Sequence, residues 1–379
     1  MLHARRATSG LARRVSLQRP QPDVIYARMK KPKRGGDLPE AIENVEQLAE
    51  LLSRPGEEVV DLFHRLEGPI GIIGGGGKIG PMLTATACRA RELAGSDQDI
   101  FVVDLFPDQA ARQRIEAAGA RTVVADLLDP PAVEALPDAA NVIYMAGMKF
   151  GTSGAPSRTW AMNALIPAYV GRRYRDARIV AFSTGCVYDF TPAASAGSVE
   201  SDPLTPPGEY ANSCVARERV LEHCSATHGT KMVLLRLNYA VEMRYGVLVD
   251  IASDVAAGRA VDVSMGYFNV IWQGDAAAAA LRLLEHAACP PEPVNLTGAK
   301  KLSVRDVASR LGKLMGKEVS FSGQEADTAL LSDATKARRL LGSPAMPIDR
   351  VIGWTAEWVA AGKPQLGKPT HFQVSDGDY

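Results

Sequence analysis

The chain has 379 residues, with 43 Lys and Arg against 43 Asp and Glu and 46% hydrophobic residues, a balance that argues for a globular fold and against a nucleic-acid groove. No apolar run approaches the roughly 20 residues needed to span a bilayer. Its five cysteines, Cys88, Cys186, Cys214, Cys224 and Cys289, are odd in number, scattered and without metal-ligand spacing, which fits a reducing, cytoplasmic location with no bound metal better than a secreted disulfide framework.

Residues 1–36 carry Arg5, Arg6, Arg13, Arg14, Arg19, Arg28, Lys30, Lys31, Lys33 and Arg34 against one acid, Asp23. A disordered basic arm is expected there. An arginine-rich, acid-poor start also has the composition of a mitochondrial transit peptide, although it lacks a periodic apolar face. An extension upstream of a start at Met29 is left open. From 37 to 68 the spacing of Ile42, Val45, Leu48 and Leu52, and then of Val59, Leu62, Phe63 and Leu66, predicts two amphipathic helices broken at Pro55. This helical preface is expected to pack on the main domain or on a partner subunit.

The stretch from Pro69 to Gly80 predicts a buried strand over Ile70, Ile72 and Ile73 running into a helix, with Gly74, Gly77 and Gly80 spaced G-x-x-G-x-x-G. A diphosphate would sit against Gly74, Gly77, Lys78, Ile79 and Gly80, where helix N-terminal amides favour negative charge. A second strand, Asp99 to Asp104, ends in a carboxylate about 20 residues beyond the glycines, the offset of an acid on the adenosine ribose. Asp104 argues for NAD over NADP, because a carboxylate accepts from a ribose hydroxyl and repels a phosphate. The bland alternative is an ordinary turn acid.

Beyond it, strands are predicted at Thr122 to Ala125 before Asp126 and Leu127, at Asn141 to Met145, at Arg178 to Ser183 and at Met232 to Leu235, with helical stretches between. That alternation defines an α/β, Rossmann-like, doubly wound parallel sheet over 69–238. From Tyr239 the elements shorten into a small α+β substrate lobe over 239–379, with some elements returning to the main domain. They include a helix from Val247 to Ala257, an alanine-rich helix after Asp275 and strand residues Val294 to Leu296. A helix capped by Ser303, a strand at Glu318 to Phe321 and a helix bearing Trp354 and Trp358 follow.

Three segments in order, the glycine turn, Ala181 to Tyr188 and Gly208 to Glu218, resemble the extended short-chain dehydrogenase/reductase superfamily and its NAD-dependent epimerase/dehydratase family. The resemblance runs from Pro69 to about Trp358. It implies that Asp126 and Leu127 lie near the adenine and that Ala146 and Gly147 let the chain pass the cofactor. Thr184 takes the place of the Ser or Thr that hydrogen-bonds the reacting oxygen, and Tyr210 that of the acid/base. The family pairs that tyrosine with a lysine four residues on, whose charge stabilises the phenolate; here the position is Cys214. Three explanations stay open. Another cation, Lys149 or Arg217, replaces the lysine; Tyr210 serves only as a hydrogen-bond donor; or catalysis is lost and cofactor binding kept.

In the substrate half, Phe268 and Asn269 stand where nucleotide-sugar members carry a diphosphate-binding arginine, and Asp275 keeps one acid of a pair. Arg236 and Asn238 resemble the family's next pocket segment, Cys186 and Lys149 border the reacting centre, and Arg244 is suited to a carboxylate or phosphate. The expected activity is NAD-dependent oxidation, reduction or epimerisation at a hydroxyl or carbonyl of a sugar or sugar-acid-like, polyhydroxylated small molecule, in a homodimer. Alternatives are a nucleotide-sugar epimerase or dehydratase and a non-catalytic NAD-binding sensor or scaffold. No nucleic acid or membrane partner is expected.

Overall fold

The computed structural model describes residues 38–149 and 154–374; the basic arm expected over 1–36 lies outside the described residues. Seven strands, β1 (Ile70–Ile73), β2 (Ile100–Asp104), β3 (Arg121–Val124), β4 (Asn141–Tyr144), β5 (Arg178–Thr184), β6 (Lys231–Leu237) and β7 (Glu292–Leu296), form one sheet in the order β7-β6-β5-β4-β1-β2-β3. Every pairing in it is parallel. Ile70 pairs with Ile100 on one side and with Asn141 on the other. The chain therefore winds away from β1 in opposite directions, which opens a crevice at the carboxyl ends of β1 and β4.

Both faces of the sheet are covered, so its strands read as nearly continuous apolar runs. Ile70 and Ile72 enter one core with Val102, Ile143, Val180 and Val233. Ile73 enters the other with Phe101, Val103, Val142 and Ile179.

The preface forms α1 (Val45–Leu52) and α2 (Glu57–Arg65) on either side of Pro55, with Asn44 capping α1 by accepting from the Gln47 N–H. Both helices close on α3 (Gly80–Ala94), the helix that follows the glycine turn. Arg89 of α3 reaches back to the Ser53 hydroxyl at 2.9 Å and the Glu50 carboxylate at 3.1 Å. Leu48, Leu51, Leu62 and Phe63 are buried in the same core, each side chain contributing roughly 1.5–3 kcal/mol.

Downstream lie α4 (Glu209–His228), α5 (Val247–Ala256), α6 (Gln273–Arg282), α7 (Val304–Met315) and α8 (Ile348–Ala360). Helices α5, α7 and α8 pack on one another as the centre of the lobe, while α6 lies against α3 and β7 completes the main sheet. Ser303 caps α7 by accepting from the Asp306 N–H at 3.2 Å. The strand expected over Glu318 to Phe321 is displaced. Phe321 and Ser322 are the residues that pair, with Val261 and Asp262, and the Ser320 carbonyl before them accepts from the Val261 N–H at 2.9 Å. Among the described residues no helix is long and apolar enough to cross a membrane.

Candidate active site

The glycines of the turn do different things. Gly74 has φ +82°, and a Cβ there would lie 2.5 Å from Ala146, so this position needs both the left-handed backbone and the missing side chain. A Cβ on Gly80 would lie 1.9 Å from the Gly75 carbonyl oxygen. Gly77, by contrast, faces open space. Its bare backbone at the start of α3 fits close approach of a diphosphate. Asp104, at the end of β2, accepts from the Gly76 N–H at 2.9 Å and the Phe106 N–H at 3.2 Å, one on each oxygen. Each oxygen keeps a lone pair for a ribose hydroxyl. Asp126 is exposed and accepts from the Leu128 N–H, while Leu127 is buried in the core beneath it.

The crevice contains a cavity of about 280 Å³. Its walls include Gly74, Gly77, Lys78, Ile79 and Gly80 of the turn, Gly147 and Lys149 after β4, Thr184 at the end of β5 and Cys186 after it, Tyr210 and Arg217 of α4, Asn238 after β6 and Tyr245 of the lobe. A larger cavity of about 600 Å³ lies between the preface and α6. There the buried Asp275 carboxyl accepts from the Met346 N–H at 2.9 Å, and burial raises its pKa to about 6. That cavity touches neither the glycine turn nor the residues at the end of β5, which meet at the smaller one.

Tyr210, Cys214 and Arg217 occupy positions i, i+4 and i+7 of α4, one buried stripe facing the sheet. The Cys214 thiol lies beside the Tyr210 phenol on that stripe. Burial, with Cys214 and Cys186 beside it, pushes the phenol well above its ordinary pKa, and Arg217 pulls the other way. The Cys214 thiol is likewise raised by burial. Arg217 donates to the Phe182 carbonyl at 2.9 Å and to Asn163 Oδ1 at 2.6 Å. A Cβ on Gly147 would lie 2.2 Å from its guanidinium, so the glycine makes the room that lets this cation reach the cavity. Lys149 brings its Nζ to 5.9 Å from the Tyr210 ring centre on the opposite wall.

Thr184 lines the cavity and caps the short 3₁₀ turn after β5, its Oγ1 accepting from the Cys186 N–H at 3.1 Å. Accepting leaves the hydroxyl proton able to point at a ligand. Thr184 is thus both the turn residue and a cavity residue. The turn reading and the chemical reading are compatible.

The expected substrate residues separate. Cys186, Lys149 and Asn238 reach the cavity, although Asn238 donates its amide to Asn269 Oδ1 at 2.9 Å and Asn269 in turn donates to the Ser332 carbonyl at 2.7 Å. Arg236 is not at the wall: it is buried in an ion pair with Glu218 at 2.7 Å and donates to the Tyr188 hydroxyl at 2.6 Å. Arg244 pairs with Glu242 at 3.0 Å and faces a neighbouring cavity of about 370 Å³. Phe268 is fully buried, its ring 6.2 Å from that of Phe372. Tyr245 and Gln273, which the sequence did not mark, reach the cavity through the folding of the lobe. For Arg217 the signal was present in its seven-residue spacing from Tyr210. Among the described residues no cluster of His, Cys, Asp and Glu could hold a metal ion.

The glycine turn at a switch point, a carboxylate at the end of β2 and a tyrosine helix behind the crevice are those of a dinucleotide-binding α/β protein of the short-chain dehydrogenase/reductase type. The chain matches the NAD dependent epimerase/dehydratase family over residues 70–296 and belongs to it. Among solved structures, UDP-glucuronic acid 4-epimerase from Bacillus cereus in complex with NAD is 17% identical, with a TM-score of 0.64 over 77% of this chain and 96% of that one. The UDP-Glc/GlcNAc 4-epimerase of Campylobacter jejuni is 21% identical, with a TM-score of 0.63 over 77% and 99%. Pal from Bacillus thuringiensis is 17% identical, with a TM-score of 0.62 over 78% and 100%. None of the curated proteins matches the chain significantly.

Proposed function

We propose that the protein is an NAD-dependent oxidoreductase or epimerase acting on a hydroxyl or carbonyl of a sugar or sugar-acid-like compound. The observation that carries this reading is the convergence of Thr184, Tyr210, Lys149 and Arg217 on the cavity into which the glycine turn opens. When bound, NAD accepts a hydride from a substrate carbon and can return it. The Gly77 backbone and the start of α3 hold its diphosphate, and Asp104 holds its adenosine ribose.

Thr184 and Tyr210 donate hydrogen bonds to the reacting oxygen and so favour the charge that develops on it. A tyrosine of ordinary pKa near ~10 is a weak base at neutral pH, and burial weakens Tyr210 further. Arg217 and Lys149 supply the positive field that the family's lysine would supply from the position of Cys214. Cys214, kept a neutral thiol by burial, packs beside the phenol and adds no field of its own.

Two observations favour a small substrate over a nucleotide sugar. Phe268 and Asn269 are buried in lobe contacts where a diphosphate-binding arginine would stand, and Arg244 is held by Glu242 beside another cavity. One observation favours the second reading, an NAD-binding protein without turnover: the two thiols and the burial that keep Tyr210 protonated. The homodimer and the cytoplasmic location expected from the sequence belong to the same proposal, and light scattering of the purified protein reads the former.

The test is to identify by mass spectrometry the cofactor and ligand that purify with the protein. Free sugars, sugar acids and nucleotide sugars are then assayed side by side at matched concentrations. Turnover of free compounds supports the proposal. Turnover of nucleotide sugars alone would replace it with the nucleotide-sugar reading, and NAD binding without turnover of any would replace it with the sensor.

A further inference from the structure

Among the described residues three that are not glycine have a positive φ: Phe106, Tyr239 and His371. Of these only Tyr239 lines the cavity into which the glycine turn opens. Its φ is +40°, a backbone that a side chain of this size adopts at a cost and that glycine or asparagine adopts readily. Two hydrogen bonds hold it there. The Asn238 N–H before it donates to the Leu296 carbonyl of β7 at 3.0 Å, and its own carbonyl accepts from the Ile271 N–H at 3.1 Å. The chain leaves the main sheet at this residue, since Leu237 still pairs with Leu296 and Ala240 already pairs with Ile271 of the lobe.

The turn alone asks for no ring. A strained conformation that its neighbours enforce at a cavity wall points to a use for the side chain. Tyr239 is half-buried and packs against the cluster that contains Cys186, Tyr210 and Cys214, beside which it lines the cavity. The other tyrosine of the lobe at this wall, Tyr245, has the Lys78 Nζ 3.0 Å from its ring centre, so one of its faces is taken. A pyranose carries hydroxyls round its edge and C–H bonds on its faces, and the slightly positive hydrogens of such a face suit the negative face of an aromatic ring. An open-chain polyol has no such face.

Resting on the function proposed above, we propose that Tyr239 selects the substrate by stacking: its ring receives the C–H face of a cyclic sugar, whose hydroxyl edge turns to Thr184 and Tyr210. The preferred compound is then a closed pyranose, neutral or acidic, and not an open-chain polyol or a short hydroxy acid.

The test uses three pairs of compounds, each pair holding one carbon skeleton closed and open: methyl glucoside with glucitol, methyl galactoside with galactitol, and methyl glucuronide with gulonate. Each compound is titrated by calorimetry into NAD-saturated protein. In at least one pair the closed ring is expected to bind roughly tenfold tighter, the gain of a stacked ring face. Tyr239→Phe should keep that preference. Tyr239→Leu, which keeps apolar bulk, and Tyr239→Asn, which suits the left-handed backbone, should both lose most of it while binding NAD as the unaltered protein does.

Equal binding within all three pairs, or no binding of any closed ring, would overturn the proposal in the unaltered protein alone. A preference that survives in both Tyr239→Leu and Tyr239→Asn would overturn it as well. So would a loss of NAD affinity of about tenfold in both variants alongside the preference, since the residue would then serve the fold of the crevice. Binding is read without turnover, so an inactive protein with a preference that depends on Tyr239 would sink the proposed function and leave the stacking site standing. Turnover of open-chain compounds alone would do the reverse.

Discussion

Cys214 stands beside the Tyr210 phenol, one helical turn further along the same buried face of α4. A neutral thiol there steadies the phenol but gives it no field. The proposed mechanism therefore places the field in Arg217 and Lys149. Tyr210→Phe should reduce kcat by roughly 100-fold or more, the usual cost of removing a positioned acid/base. Cys214→Ser keeps a neutral side chain of similar size and should stay within about tenfold of the unaltered rate. If Cys214→Ser abolished activity, and alkylation of Cys214 alone did so without blocking substrate entry, the two roles would be exchanged.

Arg217 carries a prediction about pH. A nearby cation stabilises the phenolate and so lowers the pKa of Tyr210, and Arg217 has that effect here. Arg217→Met should move the tyrosine limb of the kcat/KM profile to higher pH, whereas Arg217→Lys should move it less. The substitution also strands the Phe182 carbonyl and Asn163, at a cost of about 1–3 kcal/mol in stability. A profile unchanged in Arg217→Met would remove the arginine from the mechanism.

Among the described residues the Glu218–Arg236 ion pair is the most deeply buried, with side chains 0% and 4% exposed, and Ser183 and Tyr188 add hydrogen bonds to it. Taking one charge away leaves the other uncompensated. Glu218→Gln should destabilise the fold by about 3–5 kcal/mol in denaturant titration. NAD affinity per folded molecule should be unchanged. A loss under about 1 kcal/mol would mean that the pair is screened or relaxed in solution.

Asp104 makes the cofactor choice testable. Asp104→Asn keeps an acceptor for one of the Gly76 and Phe106 N–H groups, turns an amide NH2 toward the other at a cost of about 1–3 kcal/mol, and removes the charge that repels a 2′-phosphate. It should narrow the preference for NAD over NADP without unfolding the turn. Equal affinity of the unaltered protein for both cofactors, measured by calorimetry, would contradict the assignment.

What could be read in the sequence was what local chemistry dictates. The apolar runs of β1 and β2, the spacing of Gly74, Gly77 and Gly80 and the acid at Asp104 gave the Rossmann-like class, because a parallel strand and a phosphate turn each restrict neighbouring residues. The alternation from β1 to β6 follows from the same restriction. Contacts between distant segments were not legible. Arg236 carries no local sign that Glu218, on another element, will take it. The arrival of Arg217 depends on the phase of α4 and on the absence of a side chain at Gly147, two facts separated by 70 residues. Lys78 sits inside the glycine motif, yet its side chain belongs to the lobe through Tyr245, and only the folded arrangement of both segments discloses it.

The central claim is that this cavity passes a hydride under the control of Tyr210. Its most direct test is a single-turnover measurement in which NAD-saturated protein is mixed with the panel of sugars, sugar acids and nucleotide sugars. Reduced nicotinamide is followed by absorbance and the products are separated by chromatography. The account predicts that at least one free compound produces reduced nicotinamide or an epimer with the unaltered protein. Tyr210→Phe, which should bind NAD within about twofold as well, should produce neither. Formation at an undiminished rate in Tyr210→Phe, or no hydride transfer to or from any compound by the unaltered protein, would contradict it.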